Sequence, residues 1–235
     1  MKPYIISING LDGSGKETTA KTLINILKEK HQVKKDIQYV SFPDYTSETG
    51  NKIKKVLSGD YSVIKYGDTP ITRPYEVSRL FADNRKEYFK NNPLKDDTIY
   101  VFDRYSESNI LYQGIGKSGR DLYWFNENLK EMDEGNPMPN LSIFLRVPYW
   151  ELRRRLDLRK EVKAGIDHDN YEDDLFLKTV YHLSEYIMLL PKGNINEYDL
   201  IIETMSANTS LSPEDIAGII INEIRKRNEF IQFKY

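Results

Sequence analysis

The sequence predicts an α/β fold, in which a parallel β-sheet is covered by helices on both faces. Five short runs rich in Ile, Val, Leu, Tyr and Phe mostly lack alternation of polar and apolar residues, which is typical of strands buried on both faces. Amphipathic helix patterns lie between these runs, and strands that alternate with helices form parallel sheets. The 235 residues contain no internal repeat, low-complexity segment or recognisable linker. We therefore expect one domain over residues 1–235.

The predicted strands and helices each have their own signal in the sequence. The apolar runs place the strands at residues 4–8, 37–42, 98–102, 141–147 and 199–203. The final helix has the clearest start, because Ser212 suits an N-cap and Pro213 suits the first turn. The acidic Glu214 and Asp215 that follow suit the positive end of the helix dipole. Apolar residues recur at helical spacing in the segments 20–27, 53–57, 77–88 and 216–224.

Composition and charge exclude several classes of protein. The chain has 34 Lys and Arg against 36 Asp and Glu, a formal net charge of −2, which argues against a protein coated by nucleic acid. It has no cysteine, which excludes disulfide frameworks, thiolate zinc sites and cysteine nucleophiles. No apolar run approaches the ~20 residues that span a bilayer, and the first run is too short for a signal peptide. We expect a cytoplasmic protein, or one acting in a host cytoplasm if it is viral, without membrane or nucleic-acid partners.

A glycine-rich loop connects the first predicted strand to the first helix. Residues 10–19 read GLDGSGKETT, and the glycines allow backbone N–H groups to turn toward phosphate oxygens. The helix N-terminus adds its positive dipole end, and Lys16 can reach the terminal phosphates of a nucleoside triphosphate. Glu17 stands where this motif usually has Ser or Thr, and Thr18 offers a hydroxyl one place later. A strand-to-helix turn without a ligand is the alternative. The candidate phosphate ligands are Gly10, Asp12, Gly13, Ser14, Gly15, Lys16, Glu17 and Thr18.

Polar residues also follow the third predicted strand. Asp103 and Arg104 come directly after its last apolar residue, and ligands of open parallel sheets sit outside the carboxyl ends of strands. An aspartate there suits Mg²⁺ or its water shell, and an arginine suits a second phosphate. The alternative is a strand-end ion pair between neighbours that binds no ligand.

Two further segments carry residue types that bind nucleotides. Phe81 and Arg85 lie four residues apart on a predicted helix and so share a face. A base could stack on the Phe81 ring and accept hydrogen bonds from Arg85. A core phenylalanine beside a solvated arginine is the alternative. Seven basic residues lie within residues 146–163, which predicts either a solvated helix face or a basic flap that closes over phosphates.

Taken in order, these motifs resemble the thymidylate kinase family of P-loop nucleoside monophosphate kinases. The similar segments are residues 10–19, 42–50, 80–85 and 103–114, followed by a lid near residues 150–175. Arg146 departs from the family, in which an aspartate is common at that place. The resemblance implies a five-stranded sheet in the order 2-3-1-4-5, a homodimer, ATP as phosphate donor and Mg²⁺ as cofactor. It implies dTMP as the acceptor, with dUMP or a 5-substituted dUMP as further candidates.

The resemblance also implies roles for individual residues. Phe81 would stack on the pyrimidine, Arg85 would bond its edge, and Arg104 would hold the acceptor phosphate. The other residues implied in acceptor binding are Asp12, Phe42, Ser108, Asn109, Tyr112 and Tyr171. Arg155 and Arg159 would close on the donor phosphates. The catalytic group would be Lys16, Asp103, Arg104 and Arg155. Removal of Arg85 is expected to weaken the acceptor and leave the fold intact.

Two other functions are compatible with the same motifs. A deoxynucleoside kinase would phosphorylate the sugar 5′-hydroxyl and would need a carboxylate base, for which Asp44 or Glu48 is available. A catalytically inactive nucleotide-binding regulator is the other alternative, motivated by Glu17 and Arg146. A monophosphate kinase needs no nucleophilic side chain, since its acceptor phosphate oxygen is already charged at neutral pH.

Overall fold

The computed structural model describes the backbone of residues 2–30, 33, 35–64, 73–162, 174–206 and 209–227, and the side chains of these residues except 160–162. Two sequence-based predictions, the acceptor role of Tyr171 and the lid near residues 150–175, concern residues outside this described part. Tyr171 lies outside the described residues altogether, and so does the central part of the predicted lid, residues 163–173.

A five-stranded parallel sheet forms the centre of the molecule. Its strands are β1 (Tyr4–Gly10), β2 (Asp36–Ser41), β3 (Thr98–Asp103), β4 (Leu141–Arg146) and β5 (Leu200–Glu203). Their spatial order is β2-β3-β1-β4-β5, which confirms the predicted fold class and strand order. The strand bounds agree with the prediction to within two residues. The largest difference is in β1, where Asn9 and Gly10 continue the pairing with β4. A short antiparallel hairpin of β6 (Met205–Ser206) and β7 (Thr209–Ser210) follows β5.

Helices flank the sheet throughout the described residues. They are α1 (Lys16–Glu29), α2 (Glu48–Leu57), α3 (Arg73–Asn91), α4 (Ser108–Gln113), α5 (Gly119–Met132), α6 (Tyr149–Val162), α7 (Asp174–Leu189) and α8 (Pro213–Lys226), with a 3₁₀ turn at Tyr61–Val63. The apolar spacing identifies α1, α2, α3 and α8. Ser212 caps α8 as predicted, since its hydroxyl accepts from the Asp215 N–H at 3.1 Å while the Asp215 carboxylate accepts from the Ser212 N–H.

The sheet is buried on both faces, as its apolar strands predict. Aliphatic side chains of β1, β3 and β4 pack against α1 and α8 on one face, with Leu23, Ile143 and Ile220 all 0% exposed. Phe144, the next residue of β4, points to the opposite face and packs with Phe125 and other side chains of α4, α5 and α7. This alternation explains why the strands read as continuous apolar runs. None of the described helices is both long and apolar enough to cross a membrane.

The carboxyl ends of the central strands meet at one edge of the sheet. In the strand register, Asp103 at the end of β3 lies opposite Ile8 of β1 and Ser41 of β2. Gly10 at the end of β1 lies opposite Leu145 of β4. The glycine-rich loop and the Asp103–Arg104 pair are therefore neighbours, although more than 80 residues separate them in the chain.

Candidate active site

The glycine-rich loop depends on glycine at its turns. Gly15, immediately before α1, has a φ of 89°, in the left-handed region that favours glycine. A Cβ on Gly10 would lie 2.9 Å from the carbonyl oxygen of Leu145, so only glycine lets β4 approach this closely. Gly15 supplies no side-chain cap to α1. The positive dipole end of α1 therefore meets the loop without a side-chain cap, which suits an anion.

Lys16 is buried beneath the loop. Its ammonium donates to the carbonyl oxygen of Leu11 at 2.8 Å and to the Ser14 hydroxyl at 3.4 Å. Burial and the nearby Arg104 lower the pKa of Lys16 to about 7, although Asp12 and Asp103 oppose this shift. A bound anion would stabilise the protonated form of Lys16, so this side chain suits an anion-binding site.

Arg104 lies at the centre of a network that faces the loop. Its backbone φ of 66° is unusual for a residue with a side chain. The guanidinium forms a salt bridge with Asp12 and donates to the Tyr112 hydroxyl at 3.2 Å. The Tyr112 hydroxyl in turn donates to Asp12 at 3.1 Å. Burial opposes the charge of Asp12, but Arg104 and Lys16 outweigh it and lower the pKa of that carboxyl.

Asp103 presents one unpaired oxygen at the end of β3. Its side chain is buried, and its Oδ2 accepts a hydrogen bond from the Tyr39 hydroxyl at 3.0 Å. No described residue bonds to its Oδ1. A buried carboxylate oxygen without a partner is costly, unless a cation or ordered water occupies the space beside it. This oxygen therefore fits the predicted contact with Mg²⁺ or its water shell.

A cavity of about 410 Å³ opens between the loop, α3 and α4. Ten of the residues that line it are candidate nucleotide-binding residues of the sequence analysis: Asp12, Glu17, Phe42, Phe81, Arg85, Arg104, Ser108, Asn109, Tyr112 and Arg159. No role was predicted for Ser41, Pro43, Tyr45, Leu57, Tyr105 and Gln113, which also line the cavity. Pro43, Tyr45, Tyr105 and Gln113 belong to the quoted motifs, whereas Leu57 has only its place in an apolar helix pattern as a signal. Thr18 is exposed on α1 and is not among the lining residues.

Arg85 is neither solvated nor unpaired. Its side chain is 3% exposed and forms a two-bond ion pair with Asp133, from Nε to Oδ1 at 2.8 Å and from Nη2 to Oδ2 at 2.6 Å. The alternative of a solvated arginine on α3 is therefore wrong. Asp133 follows α5, and nothing in the sequence around it indicated this pairing. Phe81 is half-buried on the same helix, so both residues border the cavity from α3.

Hydrogen bonds orient the side chains of Ser108 and Asn109 at the start of α4. Asn109 donates through Nδ2 to the carbonyl oxygen of Ser78 at 3.3 Å. The Ser108 hydroxyl and the Tyr105 N–H both lie 3.1 Å from Oδ1 of Asn9. Because a backbone N–H can only donate, that amide oxygen is an acceptor, and the Ser108 hydroxyl must donate to it. Ser108 is then a hydrogen-bond acceptor toward any further partner.

The two carboxylates available as a base for hydroxyl phosphorylation do not face the cavity. Asp44 accepts from the N–H and hydroxyl of Thr46, at 2.9 and 2.6 Å. Glu48 has a 78% exposed side chain and pairs with Lys52 at 2.8 Å. Neither is among the residues that line the cavity. The geometry therefore places neither of the two carboxylates considered as the base of a deoxynucleoside kinase at the cavity.

The basic segment divides into structural and loop-facing arginines. Arg146 bonds to Glu185 and Glu203, so this departure from the family links β4, α7 and β5. Arg155 instead reaches the glycine-rich loop, where its Nη1 donates to the carbonyl oxygen of Gly13 at 3.2 Å. The cation of Arg155 therefore lies beside the glycine-rich loop, and Arg159, one turn later, borders the cavity.

Comparisons with known proteins point to one family. A family model described as Thymidylate kinase matches residues 8–199. A probable thymidylate kinase of Pyrococcus horikoshii is 32% identical over 163 residues, which are 68% of this chain and 72% of that protein. A thymidylate kinase of Leptospira interrogans is 29% identical over 214 residues, 87% of this chain and 93% of that protein. A solved structure of thymidylate kinase from Candida albicans has the same fold, with a TM-score of 0.66, 21% identity and coverage of 100% of this chain and 99% of that one.

Proposed function

We propose, from the premise that this chain belongs to the thymidylate kinase family, that it transfers the γ-phosphate of ATP to dTMP and produces dTDP. The observation that supports this proposal is one cavity whose lining includes Asp12 and Glu17 of the glycine-rich segment at one side and Phe81 and Arg85 of α3 at the other. The loop suits a triphosphate, and the slot beside Phe81 and Arg85 suits a base. Arg104 lies between them and suits the phosphate that receives the transferred group.

On the acceptor side, we assign Phe81 to stack on the pyrimidine and Arg85 to bond its edge. Asp133 already engages Nε and Nη2 of Arg85, so the second terminal nitrogen would make the contact with a base carbonyl. Ser108 acts as an acceptor toward further partners, which suits the ring N–H of thymine or uracil. Cytosine has an acceptor at that ring position and would leave two acceptors facing each other. Hence we expect dTMP and dUMP to be preferred over dCMP.

On the donor side, we assign the loop N–H groups and Lys16 to the ATP phosphates, with Arg155 and Arg159 approaching from α6. Phosphoryl transfer requires in-line alignment and neutralisation of charge, and needs no nucleophilic side chain. The acceptor oxygen already carries negative charge, so Arg104 has to orient it rather than deprotonate it. Lys16 and the arginines then stabilise charge on the transferring group.

Mg²⁺ completes the proposed site. The unpaired Oδ1 of Asp103 is the atom that would hold the ion, directly or through water. When bound, Mg²⁺ supplies positive charge that neutralises the phosphate oxygens. No group of three or more carboxylates or histidines suitable for a metal is present in the described part of the chain. A magnesium ion held largely by phosphates and water needs only one or two such protein ligands.

Kinetics with matched acceptors test the proposal. ADP release is measured with ATP, Mg²⁺ and either dTMP, dUMP, dCMP or thymidine. We expect the highest kcat/KM for dTMP, with dUMP about 10–200-fold lower because one methyl group in an apolar pocket contributes about 1–3 kcal/mol. Turnover of thymidine in preference to dTMP would contradict the proposal. So would ATP binding without product, which is the behaviour expected of an inactive regulator.

A further inference from the structure

We infer, on the basis of the function proposed above, that Glu151 is a positioning residue that holds Arg155 against the phosphate loop. Glu151 lies in the first turn of α6 and is 2% exposed. Its Oε1 accepts a hydrogen bond from Nε of Arg155 at 2.7 Å. A carboxylate and an arginine four residues apart on a helix lie on the same face, so the pairing is local and does not depend on the rest of the fold.

The remaining nitrogens of Arg155 are also engaged, and they give its guanidinium one orientation. Nη1 donates to the carbonyl oxygen of Gly13 at 3.2 Å, and Nη2 donates to the hydroxyl of Ser210 at 3.3 Å. Nη1 also lies 3.9 Å from the position that a Cβ on Gly15 would occupy. The planar guanidinium is therefore fixed beside the residues that precede α1. Without Glu151, Nε would lose its partner, which makes the shortest of these hydrogen bonds, and the guanidinium would be held only by the longer bonds of Nη1 and Nη2.

Burial distinguishes this pair from an ordinary ion pair on a helix surface. Exposed pairs at this spacing contribute little, because water screens both charges. Glu151 is instead buried, and its two oxygens accept three arginine hydrogen bonds. Two of these come from Arg154 at 2.6 and 2.8 Å. These hydrogen bonds fix the orientation of the buried carboxylate. A carboxylate with a fixed orientation can hold the Arg155 guanidinium in one place.

Arg154 provides a matched control in the same helix. It bonds the same carboxylate, but its side chain is 56% exposed, and its hydrogen bonds within the described residues go to Glu151 alone. Removal of Arg154 therefore perturbs the charge around Glu151 without touching the loop. If Glu151 affected the use of ATP only through its pairing with Arg154, loss of Arg154 and loss of Glu151 should impair the use of ATP equally. If it acts through Arg155, only loss of Glu151 should impair the use of ATP.

The experiment compares Glu151→Met, Arg155→Ala, the double variant and Arg154→Ala in steady-state kinetics with ATP and dTMP. Methionine keeps the length of the side chain and removes both acceptors. We expect Glu151→Met to lower kcat/KM for ATP by about tenfold or more, because small misplacements of a positioned group have large effects on rate. The KM for dTMP should change less than twofold. The double variant should be no worse than Arg155→Ala, and Arg154→Ala should match the unaltered protein.

Several results would overturn the inference. They are an unaltered ATP kcat/KM in Glu151→Met, losses that multiply in the double variant, or an equal loss in Arg154→Ala. Normal kinetics in Arg155→Ala would also overturn it, since nothing would remain for Glu151 to position. Such a result would leave the proposed kinase reaction standing, because dTMP turnover by the unaltered protein tests that reaction separately.

A measurement on the unaltered protein keeps the inference testable if Glu151→Met does not fold. The ¹⁵Nε–¹Hε NMR signal of Arg155, assigned by its loss in Arg155→Ala, should exchange slowly with water. Exchange at the rate of a free arginine would overturn the inference. In Glu151→Gln, which keeps one acceptor oxygen, slow exchange should persist and ATP kinetics should lie closer to the unaltered protein than those of Glu151→Met.

Discussion

Lys16 combines a buried position with polar, uncharged hydrogen-bond partners. Its ammonium bonds only a carbonyl and a hydroxyl within the described residues, whereas Asp12 and Asp103 act on it through space. We expect Lys16→Ala to lower the rate of phosphoryl transfer by about 10²–10³-fold, because it removes a cation aimed at developing charge. Initial-rate assays with saturating dTMP measure this effect. Lys28→Ala, at an exposed position of the same helix, serves as the control. Near-normal turnover in Lys16→Ala would show that this loop does not bind the donor phosphates.

The lowered pKa of Lys16 predicts that donor binding depends on pH. With a pKa of about 7 in the free protein, most Lys16 side chains are neutral at pH 8. Phosphates favour the charged form, so binding must raise this pKa and draw in about one proton. The affinity contributed by Lys16 should therefore fall as the pH rises above 7 and be constant below it. Calorimetry with a non-hydrolysable ATP analogue, at pH 8 in two buffers that contain no phosphate and differ in heat of ionisation, such as HEPES and Tris, measures this uptake. Equal uptake in Lys16→Met would assign the proton to another group.

At the scale of elements, α3 joins the acceptor side of the cavity to α5. The Arg85–Asp133 pair makes this connection, and both side chains are buried. Arg85→Ala should therefore lower the free energy of unfolding by about 3–5 kcal/mol, since it removes the ion-pair partner of the buried Asp133 carboxylate. Urea denaturation measures the change. Lys86→Ala, exposed on the same helix, should change it by less than about 0.5 kcal/mol. This result would correct the sequence-based expectation that loss of Arg85 leaves the fold intact.

Because Arg85 stabilises the fold, Phe81 is the better probe of the base slot. Phe81 is half-buried and borders the cavity. Phe81→Leu keeps an apolar side chain and removes the flat ring, so about 0.5–1.5 kcal/mol of stacking should be lost. We expect a higher KM for dTMP and an unaltered KM for ATP. An unchanged dTMP KM in a folded Phe81→Leu variant would place the base elsewhere.

For the whole molecule, the family resemblance leads us to propose a homodimer. Sedimentation equilibrium should then give twice the chain mass of 27.6 kDa. The mass should be independent of concentration in the micromolar range if the interface is extensive. A mass equal to one chain at all concentrations would contradict the proposal.

Local chemistry in the sequence determined most of the fold and the phosphate-binding part of the site. The apolar runs defined five strands, and Ser212 with Pro213 defined the start of α8, because strand burial and helix capping depend on neighbouring residues. The order of glycines before Lys16 marked the loop for the same reason. Glu151 and Arg155 are only four residues apart, so helical spacing alone could have predicted their contact, although no motif includes Glu151.

Only the tertiary structure decided which distant residues meet. Asp133 pairs with Arg85 across 48 residues, and Tyr39 bonds Asp103 across 64. These contacts depend on strand register and on how α3 and α5 pack, neither of which is encoded in a short segment. The same holds for Tyr45 at the cavity, because Asn84 of α3 bonds both backbone groups of the preceding residue, Asp44. The sequence alone determined which residue types are available to bind phosphate and base. The packing of the whole chain determined the partners of these residues, because burial and charge pairing arise only between surfaces that folding brings together.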